Sequence, residues 1–246
     1  KRTLGLAMCG SFCTFSRVLD AFETLDQELY ELVPIMSQAS FETDSRFGPA
    51  AQFRERLETL CGREIVHTIK EAEPFGPKKL LDALVIMPCT GNTLAKLAAG
   101  IADGPVTLAA KAHLRNERPV IVAVSTNDAL AGNAANLGTL LNRRGYFFVP
   151  FGQDSAFKKP RSLVADFTRL PQTVESALHG EQVQQPVLRE LPKNIFKDAA
   201  HGLSPGAFSR PAPAYRPGYS RAPLPRCNRG SGTNHSALQS RYCGYA

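Results

Sequence analysis

Residues 83–105 read ALVIMPCTGNTLAKLAAGIADGP, and this stretch decides the predicted fold. It opens with an apolar run, residues 83–87, that has the length and composition of a buried β-strand. Hydroxyl, glycine and amide residues follow at 90–93, and apolar residues then recur at helical spacing over residues 93–101. A strand that passes through a polar turn directly into a helix is the repeating unit of α/β proteins.

The same alternation recurs along the first 188 residues. Apolar, strand-like segments are Thr3–Met8, Glu31–Met36, Asp82–Met87, Pro119–Val124 and Tyr146–Val149. Segments with helical spacing are Phe15–Glu28, Pro49–Cys61, Thr93–Ile101, Val106–Leu114, Ala134–Arg143 and Thr173–Leu178. Near-continuous apolar strands that alternate with helices are typical of a parallel sheet covered on both faces. We therefore predict a doubly wound α/β domain over residues 1–188, Rossmann-like and of flavodoxin type, with a mostly parallel sheet.

The net charge of +7 is confined to the end of the chain. Residues 189–246 contain nine Lys/Arg and two Asp/Glu, whereas residues 1–188 contain twenty of each sign. The predicted domain is therefore neutral and lacks the basic character of a nucleic-acid-binding body. The end segment is rich in Pro, Gly, Ser and Arg without periodicity, which predicts a disordered basic tail. An aberrant translated extension is an alternative for this segment.

Cysteine spacing and hydropathy exclude several classes of protein. The six cysteines include no C-x-x-C pair, which disfavours a disulfide scaffold and a structural zinc site, so we expect no metal. No apolar run reaches the roughly 18 to 20 residues of a membrane span. Residues 1–10 do not resemble a signal sequence, and we expect a cytoplasmic protein. Cys9, beside a helix start, is either a thiol of lowered pKa or a buried apolar residue.

Polar turns follow the predicted strands. They are Gly10–Ser11, Ser37–Gly48, Pro88–Thr93 and Ser125–Asn133. In doubly wound sheets, ligands bind beyond the carboxyl ends of the strands where the strand order reverses. Hydroxyls and glycines at adjacent strand ends suit a mononucleotide phosphate, while capping of the following helices is the structural alternative for each of them.

Residues 88–112, PCTGNTLAKLAAGIADGPVTLAAKA, resemble the P-A-S-A-N-T region of a flavoprotein family. That family includes phosphopantothenoylcysteine and lantibiotic-type cysteine decarboxylases and flavin prenyltransferases. The matching positions are Pro88, Thr90, Asn92, Thr93, Lys96 and 101–103. The resemblance implies bound FMN on a Rossmann-like sheet.

Within that family, further segments are similar to the B subunits of dipicolinate synthase. They are TDSRFG (43–48), EAEPFGPKK (71–79), TGNT (90–93), AAKAHLRNERPV (109–120), STNDAL (125–130), FVPFGQD (148–154) and KKP (158–160). The likeness implies a protein that acts with a separate NAD(P)-binding A subunit to oxidise a dihydrodipicolinate-type precursor to dipicolinate. It also implies a homo-oligomer in the mother cell of a sporulating bacterium.

The resemblance also implies roles for individual residues. FMN would be held by Gly10, Ser11, Ser37, Thr90, Gly91, Asn92 and Thr93. Arg46 and Lys78 are candidates for binding a dicarboxylate substrate, because cations are needed there and Arg offers bidentate geometry. Asn92 and His67 are the candidate catalytic residues, with a capping or solvated role as the alternative for His67. Asp44 and Asp128 are each either a proton acceptor or a turn former.

One departure from the wider family bears on the reaction. The decarboxylases carry P-x-M-N-x-x-M-W after the strand that corresponds to Pro119–Val124, whereas residues 125–133 here read STNDALAGN. This difference disfavours a cysteinyl-peptide decarboxylase. The alternatives that stay open are an FMN-dependent decarboxylase or prenyltransferase, and an assembly protein that keeps the fold without redox chemistry.

Overall fold

A computed structural model describes residues 1–188, so the predicted tail at 189–246 lies outside the described residues. The strands are β1 (Arg2–Met8), β2 (Tyr30–Met36), β3 (Ala83–Cys89), β4 (Val120–Thr126), β5 (Tyr146–Phe148), β6 (Phe151–Ser155) and β7 (Lys159–Ala165). The α-helices are α1 (Phe15–Glu23), α2 (Gln38–Glu42), α3 (Ala50–Cys61), α4 (Ile69–Ala72), α5 (Gly91–Ala99), α6 (Pro105–Arg115), α7 (Ala134–Leu141) and α8 (Leu170–Leu178).

The strands form one mixed sheet in the order β2-β1-β3-β4-β7-β6, and β5 also pairs with β4. Strands β1 to β5 pair in parallel. Strand β5 pairs with β4 at Val120–Val122, whereas β7 pairs with β4 antiparallel further along, at Ser125 and Thr126. The prediction of a mostly parallel, doubly wound α/β sheet is confirmed, with an antiparallel β6–β7 hairpin added at one edge.

The central strands form the core. All seven residues of β3 are buried, as are the first six of β4, which is expected of strands covered on both faces. Helices α1, α3 and α8 form one layer, and α4, α5, α6 and α7 form the other. Within residues 1–188, no helix has the length and apolarity that a membrane crossing requires.

Helix α1 ends at Glu23, five residues before the predicted end at Glu28. The Thr24 hydroxyl donates to the carbonyl of Ala21 at 2.7 Å and satisfies one of the carbonyls that the helix end leaves without a partner. The Asp26 carboxylate then accepts from the backbone N–H of Glu28 at 2.8 Å. Local hydrogen bonds of this kind compete with helix continuation, and apolar spacing alone does not register them.

The β6–β7 hairpin was not predicted. Its strands contain Gly152 and Pro160, which lower strand propensity, and β7 begins with three exposed residues. Pairing of β7 with the end of β4 places the hairpin beside the carboxyl edge of the parallel strands. The hairpin therefore contributes to the region in which a ligand is expected.

Candidate functional site

The strand order reverses between β1 and β3. The chain leaves β1 to form β2 on one side and returns to form β3 on the other. The turns after β1 and β3 therefore diverge at this point and open a crevice above the sheet. Gly10 and Ser11 come from the first turn and Thr90 to Thr93 from the second, so the structure brings these predicted residues together.

Two cavities lie over this crevice. Cavity A, about 900 Å³, is lined by the ends of β1, β3 and β4, by part of the β6–β7 hairpin and by Arg46. Cavity B, about 930 Å³, is lined by the ends of β1, β2 and β3, by residues 67–70 and by the start of α6. Gly10, Thr90 and Asn92 line both cavities and form what we call the shared wall. Each cavity has the size typical of a small-molecule site.

The hydroxyls at the strand ends have different local roles. Ser37 and Thr90 are N-caps: Ser37 Oγ accepts from the backbone N–H of Ser40 at 3.3 Å, and Thr90 Oγ1 from that of Thr93 at 3.3 Å. Ser11 makes no such cap and instead shares a hydrogen bond with the Ser125 hydroxyl at 2.9 Å. Ser37 also shares a hydrogen bond with the Ser40 hydroxyl at 2.9 Å, and Thr90 with the Thr93 hydroxyl at 3.0 Å. Capping therefore explains two of these residues in structural terms.

Gly10 and Gly91 differ in the space that a side chain would find at each position. A Cβ built on Gly10 would meet the Phe12 ring at 3.6 Å and Ala39 at 3.8 Å, which are ordinary contacts, so the space beside Gly10 opens onto the shared wall. A Cβ on Gly91 would lie 2.5 Å from Asn133 Nδ2 and 2.7 Å from Asp128 Oδ1. Gly91 is therefore required by packing against two polar side chains, whereas Gly10 leaves room for a ligand.

We expect Gly91→Ala to destabilise the domain by about 1–3 kcal/mol, the usual cost of forcing a methyl group into an occupied site. Asp128→Ala should relieve part of that cost, so the two changes should couple by about 0.5–3 kcal/mol in a double-mutant cycle of urea unfolding. Gly138→Ala is the matched control, because a Cβ there meets nothing within 4 Å. Equal effects of Gly91→Ala and Gly138→Ala would contradict the packing role.

Asn92 and His67, the two candidate catalytic residues, lie in different surroundings. Asn92 is exposed on the first turn of α5, and its amide has no hydrogen-bond partner among residues 1–188, so it is available to a ligand on the shared wall. His67 lines cavity B, with its ring stacked on Phe41 at 3.9 Å between centroids. Its Nδ1 lies 3.4 Å from Glu71 Oε2. The structure thus places both residues at the site.

Cys9 and Cys89, the two buried cysteines at the strand ends, are not activated. Burial raises the pKa of Cys9 to about 11, and the opposing effects of the Thr93 hydroxyl and Lys96 are smaller. Burial, with a smaller contribution from Cys9, raises the pKa of Cys89 well above its usual value. Because the thiolate is the nucleophile, both side chains are inert apolar groups at neutral pH, and a lowered pKa for Cys9 is excluded. No cluster suited to a metal occurs among residues 1–188.

The two predicted substrate-binding cations separate in the structure. Arg46 lines cavity A, with its guanidinium 4.8 Å from the centroid of the Phe47 ring. Lys78 is exposed and precedes β3, at the amino end of a strand whose carboxyl end carries Thr90. A seven-residue strand spans about 23 Å, so Lys78 is not brought to either cavity. A segment that is characteristic of one group of related proteins, such as residues 71–79, therefore need not lie at the ligand-binding site.

Several residues that line cavity A were not among the predicted ligands. They are Arg17, Ser125, Thr126, Asp154, Lys159 and Ser162. Lys159 and Asp154 form an ion pair at 2.7 Å across the β6–β7 hairpin. These residues could be predicted only if the antiparallel pairing of β7 with β4 were known. That pairing brings residues that are far apart in sequence to one edge of the sheet.

Comparison with protein families matches residues 1–162 to the family described as Flavoprotein. The B subunit of dipicolinate synthase from Bacillus subtilis is 46% identical over 189 residues, which is 77% of this chain and 94% of that protein. The similarity therefore extends over nearly the whole of that protein.

Solved structures of related proteins are also similar to this chain. The B subunit of dipicolinate synthase from Bacillus halodurans is 40% identical, with a TM-score of 0.70 over 77% of this chain and 97% of that one. The FMN-dependent cysteine decarboxylase SpaF is 23% identical, with a TM-score of 0.54 over 73% of this chain and 96% of that one. The second likeness concerns the fold alone.

Proposed function

Because the chain belongs to the Flavoprotein family, we propose that it is an FMN-binding B subunit of dipicolinate synthase. It would act with a separate nicotinamide-binding A subunit to oxidise a dihydrodipicolinate-type precursor to dipicolinate. The observation that carries the proposal is the 46% identity with the B subunit of the Bacillus subtilis enzyme, over 94% of that protein. The proposed setting is the cytoplasm of the mother cell of a sporulating bacterium, and the proposed assembly is a homo-oligomer.

Two observations support FMN at the shared wall. A Cβ on Gly10 would meet no atom closer than 3.6 Å, and the side-chain amide of Asn92 has no hydrogen-bond partner among residues 1–188. The cofactor would be held by residues that line the two cavities, namely Gly10, Ser11, Ser37 and Thr90 to Thr93. When bound, FMN supplies an acceptor for two electrons. The residues of this chain would position it, and the donors beside it would favour its reduced, anionic form.

Cavity A is the proposed substrate site. It carries Arg46, whose guanidinium has no carboxylate partner among residues 1–188. A guanidinium recognises a carboxylate with two parallel hydrogen bonds. Ser11 and Ser125 line the same cavity, with their hydroxyls 2.9 Å apart. Together these groups suit a small dicarboxylate that lies next to the flavin.

Two measurements test this function. The purified full-length chain should show the visible absorption of bound flavin. Co-expression with an A-type, nicotinamide-binding partner should yield dipicolinate, measured by terbium luminescence, whereas either protein alone should yield none. We expect Asn92→Ala to reduce both the flavin content and the dipicolinate signal.

Other results would identify a different function. Absence of dipicolinate in every pairing would contradict the proposal. A colourless protein whose Asn92→Ala variant keeps full pathway activity would indicate an assembly protein without redox chemistry. Turnover of a cysteinyl or aromatic acid without any partner, followed by mass spectrometry, would indicate a decarboxylase or prenyltransferase.

A further inference from the structure

Among residues 1–188, the cations that line cavity A are Arg17, Arg46 and Lys159. Lys159 forms an ion pair with Asp154 at 2.7 Å. Arg46 is the cation assigned to one carboxylate of the ligand. Lys78, the other cation that the sequence suggested, does not line the cavity. A site for a dicarboxylate needs a second cation, and Arg17 is the residue placed to supply it.

The position of Arg17 is not explained by the stability of its helix. Arg17 lies in the first turn of α1, which follows the turn that carries Gly10 and Ser11. A cation at this end of a helix interacts unfavourably with the helix dipole, and the first turn of α1 contains no acidic residue to offset it. The same position brings the Arg17 side chain to the lining of cavity A, beside the shared wall.

Both guanidiniums that line cavity A lie near an aromatic ring. Arg17 Cζ is 5.6 Å from the centroid of the buried Phe167 ring, and Arg46 Cζ is 4.8 Å from that of Phe47. A ring attracts a cation and restricts the movement of its side chain without cancelling its charge. Arg17 is partly buried and Arg46 is exposed, so water screens the charge of Arg17 less. Arg17 is therefore expected to be the stronger of the two carboxylate-binding groups.

The carboxylates that line cavity A receive hydrogen bonds from the protein itself. Asp154 accepts from Lys159 Nζ at 2.7 Å. Asp128 accepts from Thr126 Oγ1 at 2.6 Å and from Asn133 Nδ2 at 2.7 Å. Because like charges repel, the carboxylates of a ligand should lie away from these two acids and beside the two guanidiniums.

A carboxylate that is removed from water without a partner weakens binding, so each carboxylate of the ligand requires its own donors. On the basis of the proposed function, we propose that Arg17 binds the second carboxylate of the substrate while Arg46 binds the first. Each guanidinium can donate two parallel hydrogen bonds to its carboxylate. Arg17 is then a specificity-determining residue, which distinguishes a dicarboxylate from a monocarboxylate of the same shape.

Ligand discrimination tests this role without turnover. Binding of dipicolinate and of its monoamide, in which a neutral amide of similar size replaces one carboxylate, is measured by calorimetry on the full-length chain in metal-free buffer near pH 7. The wild-type chain should bind dipicolinate at least about tenfold more tightly than the monoamide, as expected of one additional charge-assisted pair. Arg17→Gln should weaken dipicolinate binding by at least about tenfold and abolish the preference.

Arg54→Gln is the matched control. Arg54 Cζ also lies near a ring, 4.5 Å from the centroid of Phe41, but Arg54 lines neither cavity. This variant loses the same charge and a similar ring contact, and it should keep the wild-type preference. If Arg17→Gln does not fold, Arg17→Lys serves instead. Lysine keeps the charge but presents no paired donors in a fixed plane, so Arg17→Lys should reduce the preference.

The outcomes separate this inference from the proposed function. Equal binding of the two ligands by the wild-type chain, failure to bind either, or an unchanged preference in Arg17→Gln would overturn the role of Arg17 while dipicolinate production by the co-expressed subunits still stands. Loss of the preference in Arg54→Gln would also overturn it, because net charge would then select the dianion. Absence of dipicolinate from every pairing, with a preference that depends on Arg17, would overturn the proposed reaction and support the role of Arg17.

A kinetic measurement on the assembled enzyme gives a second readout. Arg17→Gln should raise KM by at least about tenfold while kcat changes less, as expected when a group that binds substrate and transition state equally is removed. The flavin spectrum should stay unchanged. A wild-type KM in Arg17→Gln would contradict the inference.

Discussion

Gly10→Leu is expected to weaken FMN binding by at least about 100-fold, or about 2.7 kcal/mol, while the domain stays folded. The atoms nearest to a Cβ at Gly10 belong to the Phe12 ring and Ala39, at ordinary contact distances of 3.6 and 3.8 Å. The rest of a leucine side chain would therefore extend from the shared wall into space that both cavities use. Flavin fluorescence on titration into the full-length variant, with circular dichroism for folding, measures the two effects.

Gly138→Leu is the matched control for this variant. Gly138 lies on α7, outside the lining of both cavities, and a Cβ there meets nothing within 4 Å. Gly138→Leu should bind FMN as the wild-type chain does. Gly10→Ala adds a single methyl group and should weaken binding by less than Gly10→Leu. Wild-type affinity in Gly10→Leu would show that the flavin does not lie at the shared wall.

The fold was predictable because its signals are local. Strands β3 and β4 are buried on both faces, so they read as continuous apolar runs, and a short polar turn follows each. The hairpin formed by β6 and β7 gives no such signal, because it lies at the edge of the sheet and carries exposed residues and a proline. Its position depends on pairing with the end of β4, which is a long-range contact.

The site was predictable where residues follow strands directly. Gly10, Ser37 and Thr90 stand at the carboxyl ends of neighbouring parallel strands, and the topology must bring such positions together. Lys78 lies outside the lining of both cavities, because membership of a distinctive segment says nothing about which end of the sheet that segment occupies. The role of Gly91 was also hidden, since the side chains that fill its space come from after β4.

The hydrogen bonds that orient Asp128 could not be predicted from the sequence. Its partners Thr126 and Asn133 lie two and five residues away, within a segment that was singled out as unusual. The spacing does not reveal that the turn between β4 and α7 folds back so that both donors reach one carboxylate. Side-chain direction in an irregular turn depends on the backbone angles of each residue, and composition does not fix these angles.

A second large effect is expected from His113, which lies on α6 and is 1% exposed. Neither ring nitrogen has a hydrogen-bond partner among residues 1–188. Burial, with a smaller contribution from the charge of Arg118, lowers the pKa of His113 from 6.5 to about 4. Leu81 and Asp82, which are close to this ring, precede β3, so His113 lies toward the amino edge of the sheet, away from both cavities.

The sign of the pH effect follows from that depressed pKa. Above pH 6.5 the ring is neutral in the folded and unfolded chain and contributes no pH dependence. Between pH 6.5 and about 4, the unfolded chain binds the proton more readily, so the free energy of unfolding falls by about 1.4 kcal/mol per pH unit. The accumulated loss is about 3 kcal/mol, and below about pH 4 it grows no further.

Two variants without a titratable ring isolate this effect. His113→Phe keeps much of the volume and His113→Asn does not, so their stabilities at pH 7 should differ from each other through packing. Urea unfolding of the full-length chain between pH 7 and 4.5 should nevertheless give both variants a shallower loss of stability than the wild type. Carboxylates that titrate in this range should contribute equally to the pH dependence of the three proteins. The difference between their curves of unfolding free energy against pH is therefore due to His113. Parallel curves for the three proteins would show that the ring at position 113 is protonated as easily in the folded chain as in the unfolded one.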